Sequence, residues 1–263
     1  MECDRDYDHR SHAGNAGDLW KHLILALVAD YLLSREDNWI YVESHAGYPL
    51  YLIEERGEWE GGIGRIWHLL PKLLRFPSFG ILSWMNPGEL KVYPGSATSV
   101  MEIARRKNKR LKSELWDKNP LVERAWSGCD QYREVSFHLG DGFSGVDELI
   151  EDIPSALLLI DPPYLEESDL ERSVELFCRA VSRGWTVLLW YMMNQSGDLD
   201  PGCESSTYEL VFGDVGLLCG RWKGAHVAMG GGDDLLKKHL DLRGQEFQRI
   251  LQDQKIFKNG CRN

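Results

Sequence analysis

Long apolar runs are missing from this chain. Across its 263 residues no stretch approaches the roughly 20 consecutive apolar positions that a membrane-spanning helix requires. The N-terminal MECDRDYDHR is too charged for a secretory signal, so a cytoplasmic protein with no membrane partner is expected. Paired cysteines are missing too. The six (Cys3, Cys129, Cys178, Cys203, Cys219, Cys261) are scattered, with no C-x-x-C pair and no histidine at zinc-ligand spacing. They read as reduced structural thiols, and no metal is expected. Positive charge is scarce as well: 30 Lys and Arg face 41 Asp and Glu, a net charge of -11. Phosphate attraction dominates non-specific nucleic-acid affinity, so a nucleic-acid partner would have to be met by a local patch. One basic run exists, ARRKNKRLK (104–112), in which Arg105, Arg106, Lys107, Lys109, Arg110 and Lys112 stand with no acid among them. It is either a solvated helix end or such a patch.

Apolar content is ample, at 43% hydrophobic residues, and the length suits one domain spanning 1–263 with an insertion. DLWKHLILALVADYLL (18–33) reads as a buried helix and WIYVES (39–44) as a strand. A tryptophan-rich, helix-like segment follows, punctuated by PSFG and NPG, and predicts an inserted helical subdomain over about 50–92. After KVYPGSATSVMEIARR, whose Ser96 is placed to cap a helix, strands over 110–116, 134–139, 156–160 and 185–191 alternate with helices over 118–127, 144–151 and 168–182. That alternation predicts an α/β fold with a doubly wound, mostly parallel sheet. TYELVF and GAHVAMGG read as closing strands, and the polar C-terminal stretch gives no clear pattern.

In open α/β sheets ligands gather beyond the carboxyl ends of the strands, so the residues just past each strand carry the functional signal. One of them is LLLIDPPYLE, residues 157–166. Five apolar residues, Ala156 to Ile160, run into Asp161, two prolines and Tyr164. The prolines forbid the strand to continue, which leaves Asp161 on its edge. By average residue usage a DPPY tetrad arises by chance in about one chain of this length per thousand. Its chemistry is coherent for an exocyclic amine on a purine. Asp161 Oδ and the Pro162 carbonyl offer two acceptors to an NH2, Tyr164 offers a ring to stack on, and proline withholds a donor. With S-adenosylmethionine as electrophile the task is in-line methyl transfer, governed by positioning and electrostatics.

Other strand ends carry adenosine-like signals. Glu114 suits a ribose diol, because a carboxylate accepts from two hydroxyls at once. His45-Ala46-Gly47 predicts a tight turn open to a cofactor, and Asp141 with Gly142 suits an adenine edge. Each alone is also an ordinary turn or surface acid. Their order at successive strand ends favours the site.

YDHRSHAGNAGDLWKH (7–22), followed in order by SHAG, GEWEGGI, YPGS, SEL, DGF and DPPY, resembles the RlmJ family of bacterial 23S ribosomal RNA adenine-N6 methyltransferases. The resemblance runs from about Tyr7 to Met193. It implies a Rossmann-like class I methyltransferase fold, S-adenosylmethionine as cofactor and ribosomal RNA as partner. It places His22, His45, Ser96, Glu114, Asp141 and Gly142 on cofactor-binding positions, Asp161 on the proton-acceptor position and Tyr7 on a substrate contact. His9 and Lys21 match the same signature as RNA-side or site-closing groups. The chain departs from the pattern at AGYP, where the family has A-G-A-G; Tyr48 and Pro49 either crowd the cofactor's carboxylate end or redirect the inserted segment. The expectation is an N6-adenine methyltransferase acting on RNA as a monomer. The rivals are a methyltransferase on DNA and a binding module that has lost the cofactor.

Overall fold

A computed structural model describes residues 12–53, 56–132, 134–193 and 201–260, with side chains to 254. Tyr7 and His9 lie outside the described residues. Seven strands form the main sheet: β1 (Asn38–Glu43), β4 (Arg110–Asp117), β5 (Val135–Leu139), β6 (Leu157–Ile160), β7 (Thr186–Met192), β8 (Ser205–Val211) and β9 (Gly224–Gly230). Their order is β5-β4-β1-β6-β7-β9-β8. The first five are mutually parallel, and β9 runs antiparallel to both β7 and β8. This is a Rossmann-like, mostly parallel sheet, with its topological switch between β1 and β6. All four residues of β6 are buried, which is why its sequence reads as an unbroken apolar run.

The helices are α1 (Ala16–Arg35), α2 (Ile63–Ile66), α3 (Leu70–Leu73), α4 (Pro77–Met85), α5 (Ser96–Arg106), α6 (Pro120–Ser127), α7 (Gly142–Asp152), α8 (Asp169–Ser182) and α9 (Asp234–Gly260). The side chain of Asn15 caps α1 by accepting from the Asp18 N–H at 2.9 Å. Helix α1 buries 15 of its 20 residues because α4, α5, α9 and β9 all pack against it. A helix enclosed on every side has no polar face to show.

Between β1 and α5 the chain first pairs β2 (Leu50–Leu52) with β3 (Val92–Pro94) as an antiparallel ribbon. The helices α2–α4 hang from that ribbon, and their apolar side chains join the core of α1 rather than forming one of their own. Phe247 of α9 packs on Phe76 and Phe79 of this segment, with each ring pair 5.7 Å apart. The polar C-terminal stretch is thus a long helix that, among its described side chains, buries a stripe of Leu236, Leu240, Phe247 and Leu251.

Two expectations change. Ser96 does not cap α5: Gly95 holds that position, and the Ser96 hydroxyl turns instead to Glu43. Cys178 and Cys203 form a disulfide rather than two reduced thiols, because the fold brings α8 beside the residues that lead into β8. The basic run lies where α5 ends and β4 begins, at the N-terminal edge of the sheet. There Lys107 pairs with Asp30, Lys109 with Asp37, Arg110 with Glu134 and Lys112 with Glu114. The eight residues of β4 span about 26 Å, so the run sits at the far end from residues at the strand tips.

Candidate active site

A cavity of about 380 Å³ opens at the C-terminal edge of the sheet, over the switch between β1 and β6. That volume lies within the range of small-molecule sites. Of the residues singled out from sequence, Lys21, His22, His45, Ser96, Asp161, Pro162 and Tyr164 line it. Helix α1 begins at this edge and runs away from it, so its first turns supply Asp18, Lys21 and His22 at the i, i+3 and i+4 spacing that shares one face.

Lys21 bridges two carboxylates, with Nζ 2.5 Å from Asp161 Oδ2 and 2.8 Å from Asp18 Oδ1. Burial presses the lysine pKa down, but Asp161 and Asp18 outweigh it and hold the ammonium well above its ordinary value. Burial likewise pushes Asp18 up; Lys21 and the Gly14 N–H more than offset this and leave it below the usual carboxylate value. His22, stacked on Tyr93 with ring centres 5.4 Å apart, is driven by burial down to about 3 and stays neutral.

Beneath this layer lies Glu43, the last residue of β1 and 0% exposed. Its carboxyl accepts from the Ser96 hydroxyl and, at 3.1 Å, from Tyr41 Oη. Burial raises its pKa to about 8, Asp161 adding to the rise while Ser96 and Lys21 oppose it. The acid therefore keeps its proton at neutral pH.

DPPY shapes the opposite wall. Tyr164 has φ +54°, a left-handed conformation that costs a side-chain-bearing residue about 1–3 kcal/mol. What holds it is the phenol, which donates to the Trp190 carbonyl. The Tyr164 and Trp190 rings are 6.1 Å apart, and Lys21 Nζ lies 5.6 Å from the Trp190 ring centre. Burial, with Asp161 nearby, keeps the phenol well above its usual pKa and so a hydrogen-bond donor.

The loop after β1 turns at Gly47, whose φ is +62° and whose missing Cβ would stand 2.5 Å from Tyr51 Oη. Tyr48 and Pro49 do not line the cavity; they lead the chain into β2, and the Pro49 carbonyl accepts from the Gly95 N–H and the Thr98 hydroxyl. AGYP thus redirects the inserted segment and brings Tyr51 into the cavity wall. His45 is oriented by Ser44 Oγ, 2.9 Å from its Nδ1, and its ring meets Phe143 edge to face.

Glu114, Asp141 and Gly142 are not among the cavity-lining residues. Glu114 stands three residues before the end of β4, where Lys112 and His138 each bond its carboxylate at 2.7 Å. The acid at the strand's end is Asp117, which accepts from the Gly47 and Asn119 N–H groups. Asp141 caps α7 through the Ser144 N–H and pairs with Lys118 and Arg172, each at 2.8 Å. Those bonds overcome burial and carry its pKa far below the usual carboxylate value. A Cβ on Gly142 would fall 1.7 Å from the Ser44 carbonyl, so only glycine lets α7 start against the β1 loop.

Asp18, Glu43, Tyr51, Trp190, Arg221 and Trp222 belong to the site or its support without having been singled out as site residues. Glu43 had a signal: YVES ends an apolar strand in an acid, as LLLID does. Arg221 and Trp222 had none, since they reach the cavity only because β9 inserts beside β7.

A family model described as ribosomal RNA large subunit methyltransferase D, RlmJ, matches residues 36–204. The chain is 30% identical over 203 residues to ribosomal RNA large subunit methyltransferase J of Haemophilus influenzae, covering 70% of this chain and 69% of that one. It is 29% identical over 196 residues to the Escherichia coli protein of the same name, with the same coverage of 70% and 69%. A crystal structure of a Legionella pneumophila protein shares the fold, with a TM-score of 0.74, 20% identity and coverage of 92% and 94% of the two chains. These matches show that the chain belongs to the RlmJ family of ribosomal RNA large subunit methyltransferases.

Proposed function

We propose that this protein methylates N6 of an adenine in large-subunit ribosomal RNA, using S-adenosylmethionine. The observation that carries the reading is the Asp161–Lys21 pair beside Pro162 and Tyr164, at the switch point of the sheet. Lys21 holds one carboxylate oxygen of Asp161 in place. Asp161 then accepts from the target amine and takes up its proton, while the Pro162 carbonyl engages the second N–H. Tyr164, fixed through Trp190, supplies the stacking face.

The residues fit the cofactor. Gly47, Ser96, His22 and His45 line the cavity, the last three with polar side chains. Glu114 and Asp141 would take the ribose and adenine. Each carboxylate already has two partners, Lys112 and His138 for Glu114, Lys118 and Arg172 for Asp141, which the ligand would exchange for its own hydroxyl and amine donors. Bound S-adenosylmethionine supplies an electrophilic methyl group. Tyr7 and His9 remain proposed RNA contacts. We place the protein in the cytoplasm, where its RNA is made, as a monomer of one domain with the β2–β3 segment as its insertion. No helix among the described residues is long and apolar enough to cross a membrane.

The test is nucleoside mass spectrometry after incubating the protein and cofactor with protein-free 23S ribosomal RNA or DNA of matched sequence. N6-methyladenosine in the RNA alone, lost with Asp161→Asn, is expected. Product in DNA alone, or none with a folded protein that binds S-adenosylhomocysteine, refutes the reading.

A further inference from the structure

The aromatic wall does not stop at the target site. From Tyr164 it continues through Trp190 to Trp222, whose ring meets Trp190 edge to face at 5.6 Å and 67°. Trp222 and Arg221 both line the cavity. They lie in the β8–β9 connection, which is pinned from outside: the Leu218 N–H donates to the Gly61 carbonyl at 2.9 Å and Arg65 donates to the Gly216 carbonyl at 2.7 Å. The tryptophan is therefore held in place before any ligand arrives.

The Arg221 guanidinium lies 4.9 Å from the Trp222 ring centre and bonds Glu58 and His12, each at 2.9 Å. Its side chain is 47% exposed, so these pairs are weak competitors for a phosphate. An aromatic ring beside an available guanidinium suits a nucleotide: base on ring, phosphate on cation. Extruding the target adenine leaves its neighbour without a stacking partner on one side, and a ring at the cavity mouth replaces that partner.

We propose that Trp222 is a stacking platform for the nucleotide next to the target adenine, with Arg221 contacting its phosphate. This rests on the RNA methyltransferase reading. It explains how an acidic protein meets RNA: by a few groups at the cavity mouth rather than by the basic run.

The test measures binding, by fluorescence anisotropy with S-adenosylhomocysteine present, of a short single-stranded 23S ribosomal RNA fragment that the wild type methylates. Trp222→Ala weakens binding about 10-fold, the scale of one lost base–aromatic stack, and Trp222→Phe restores most of it. Making the neighbouring position abasic, on each side of the target in turn, removes the difference between wild type and Trp222→Ala on one side. Arg221→Ala lowers the salt dependence by about one phosphate contact, a slope change of about 0.7. Equal binding by wild type and a folded Trp222→Ala, or the same loss with both abasic RNAs, overturns the platform while methylation by the wild type leaves the parent reading standing. A wild type that methylates neither such a fragment nor protein-free 23S ribosomal RNA overturns the parent reading and the platform with it.

Discussion

The two edges of the sheet use the same charged residue types to opposite effect. At the N-terminal edge, Lys107, Lys109 and Arg110 each meet an acid that is 37% or more exposed, where solvent screens the pair and little structure depends on it. At the C-terminal edge, Lys21 is 11% exposed and Asp161 17%, with Glu43 fully buried below. There the same pairing shifts pKa values and sets orientation, because the interaction acts in a low dielectric. A run of charge in sequence thus says less about function than one charge at a strand tip.

The sharpest way to break this contrast is Lys21→Met. It leaves Asp18 and Asp161 facing each other without their cation, and a loss of about 3–5 kcal/mol in urea unfolding is expected. A loss under about 1 kcal/mol, typical of exposed pairs, would make the two edges alike. Asp161→Asn removes the charged acceptor and is expected to cut kcat by about 10²–10³, on the scale of losing a preorganised polar contact; unchanged single-turnover rates would move the chemistry elsewhere.

Glu43 sharpens the contrast by pH. Below its ordinary value of 4.5 it is protonated in both folded and unfolded chains. Between 4.5 and about 8 the folded protein keeps a proton that the unfolded chain has released, so stability from this group falls as pH rises and is lost above about 8. Thermal melts of Glu43→Gln should lack that part of the decline; parallel wild-type and variant curves would show that Glu43 does not titrate there. Smallest of all, replacing Lys107, Lys109 and Arg110 together by Gln should change RNA affinity less than about twofold, as distant exposed charges are largely screened. A tenfold loss would return the basic run to the RNA-binding surface.

Much of this architecture is legible in the sequence because it is local. The buried strands announce themselves as short apolar runs, and the prolines of DPPY end β6 where the structure ends it. Helix α9 was obscure because its buried stripe is four residues among polar ones, although the spacing of Leu236, Leu240, Phe247 and Leu251 is helical. Glu114 and Asp141 were readable as acids near strand ends, but not their ion pairs with Lys112, His138, Lys118 and Arg172. Those partners come from strand register and helix packing.

The sequence by itself determined the alternating α/β order, the strand tips where chemistry gathers and the acceptor-rich DPPY edge, since each follows from apolar periodicity and backbone sterics within a few residues. Only the tertiary structure decided that α1 delivers Lys21 to Asp161, 140 residues away, that Ser96 serves Glu43 rather than its helix, that Cys178 finds Cys203, and that Trp222 joins the cavity wall. These depend on which strands neighbour one another and on how much water the packing excludes, and no local pattern encodes either.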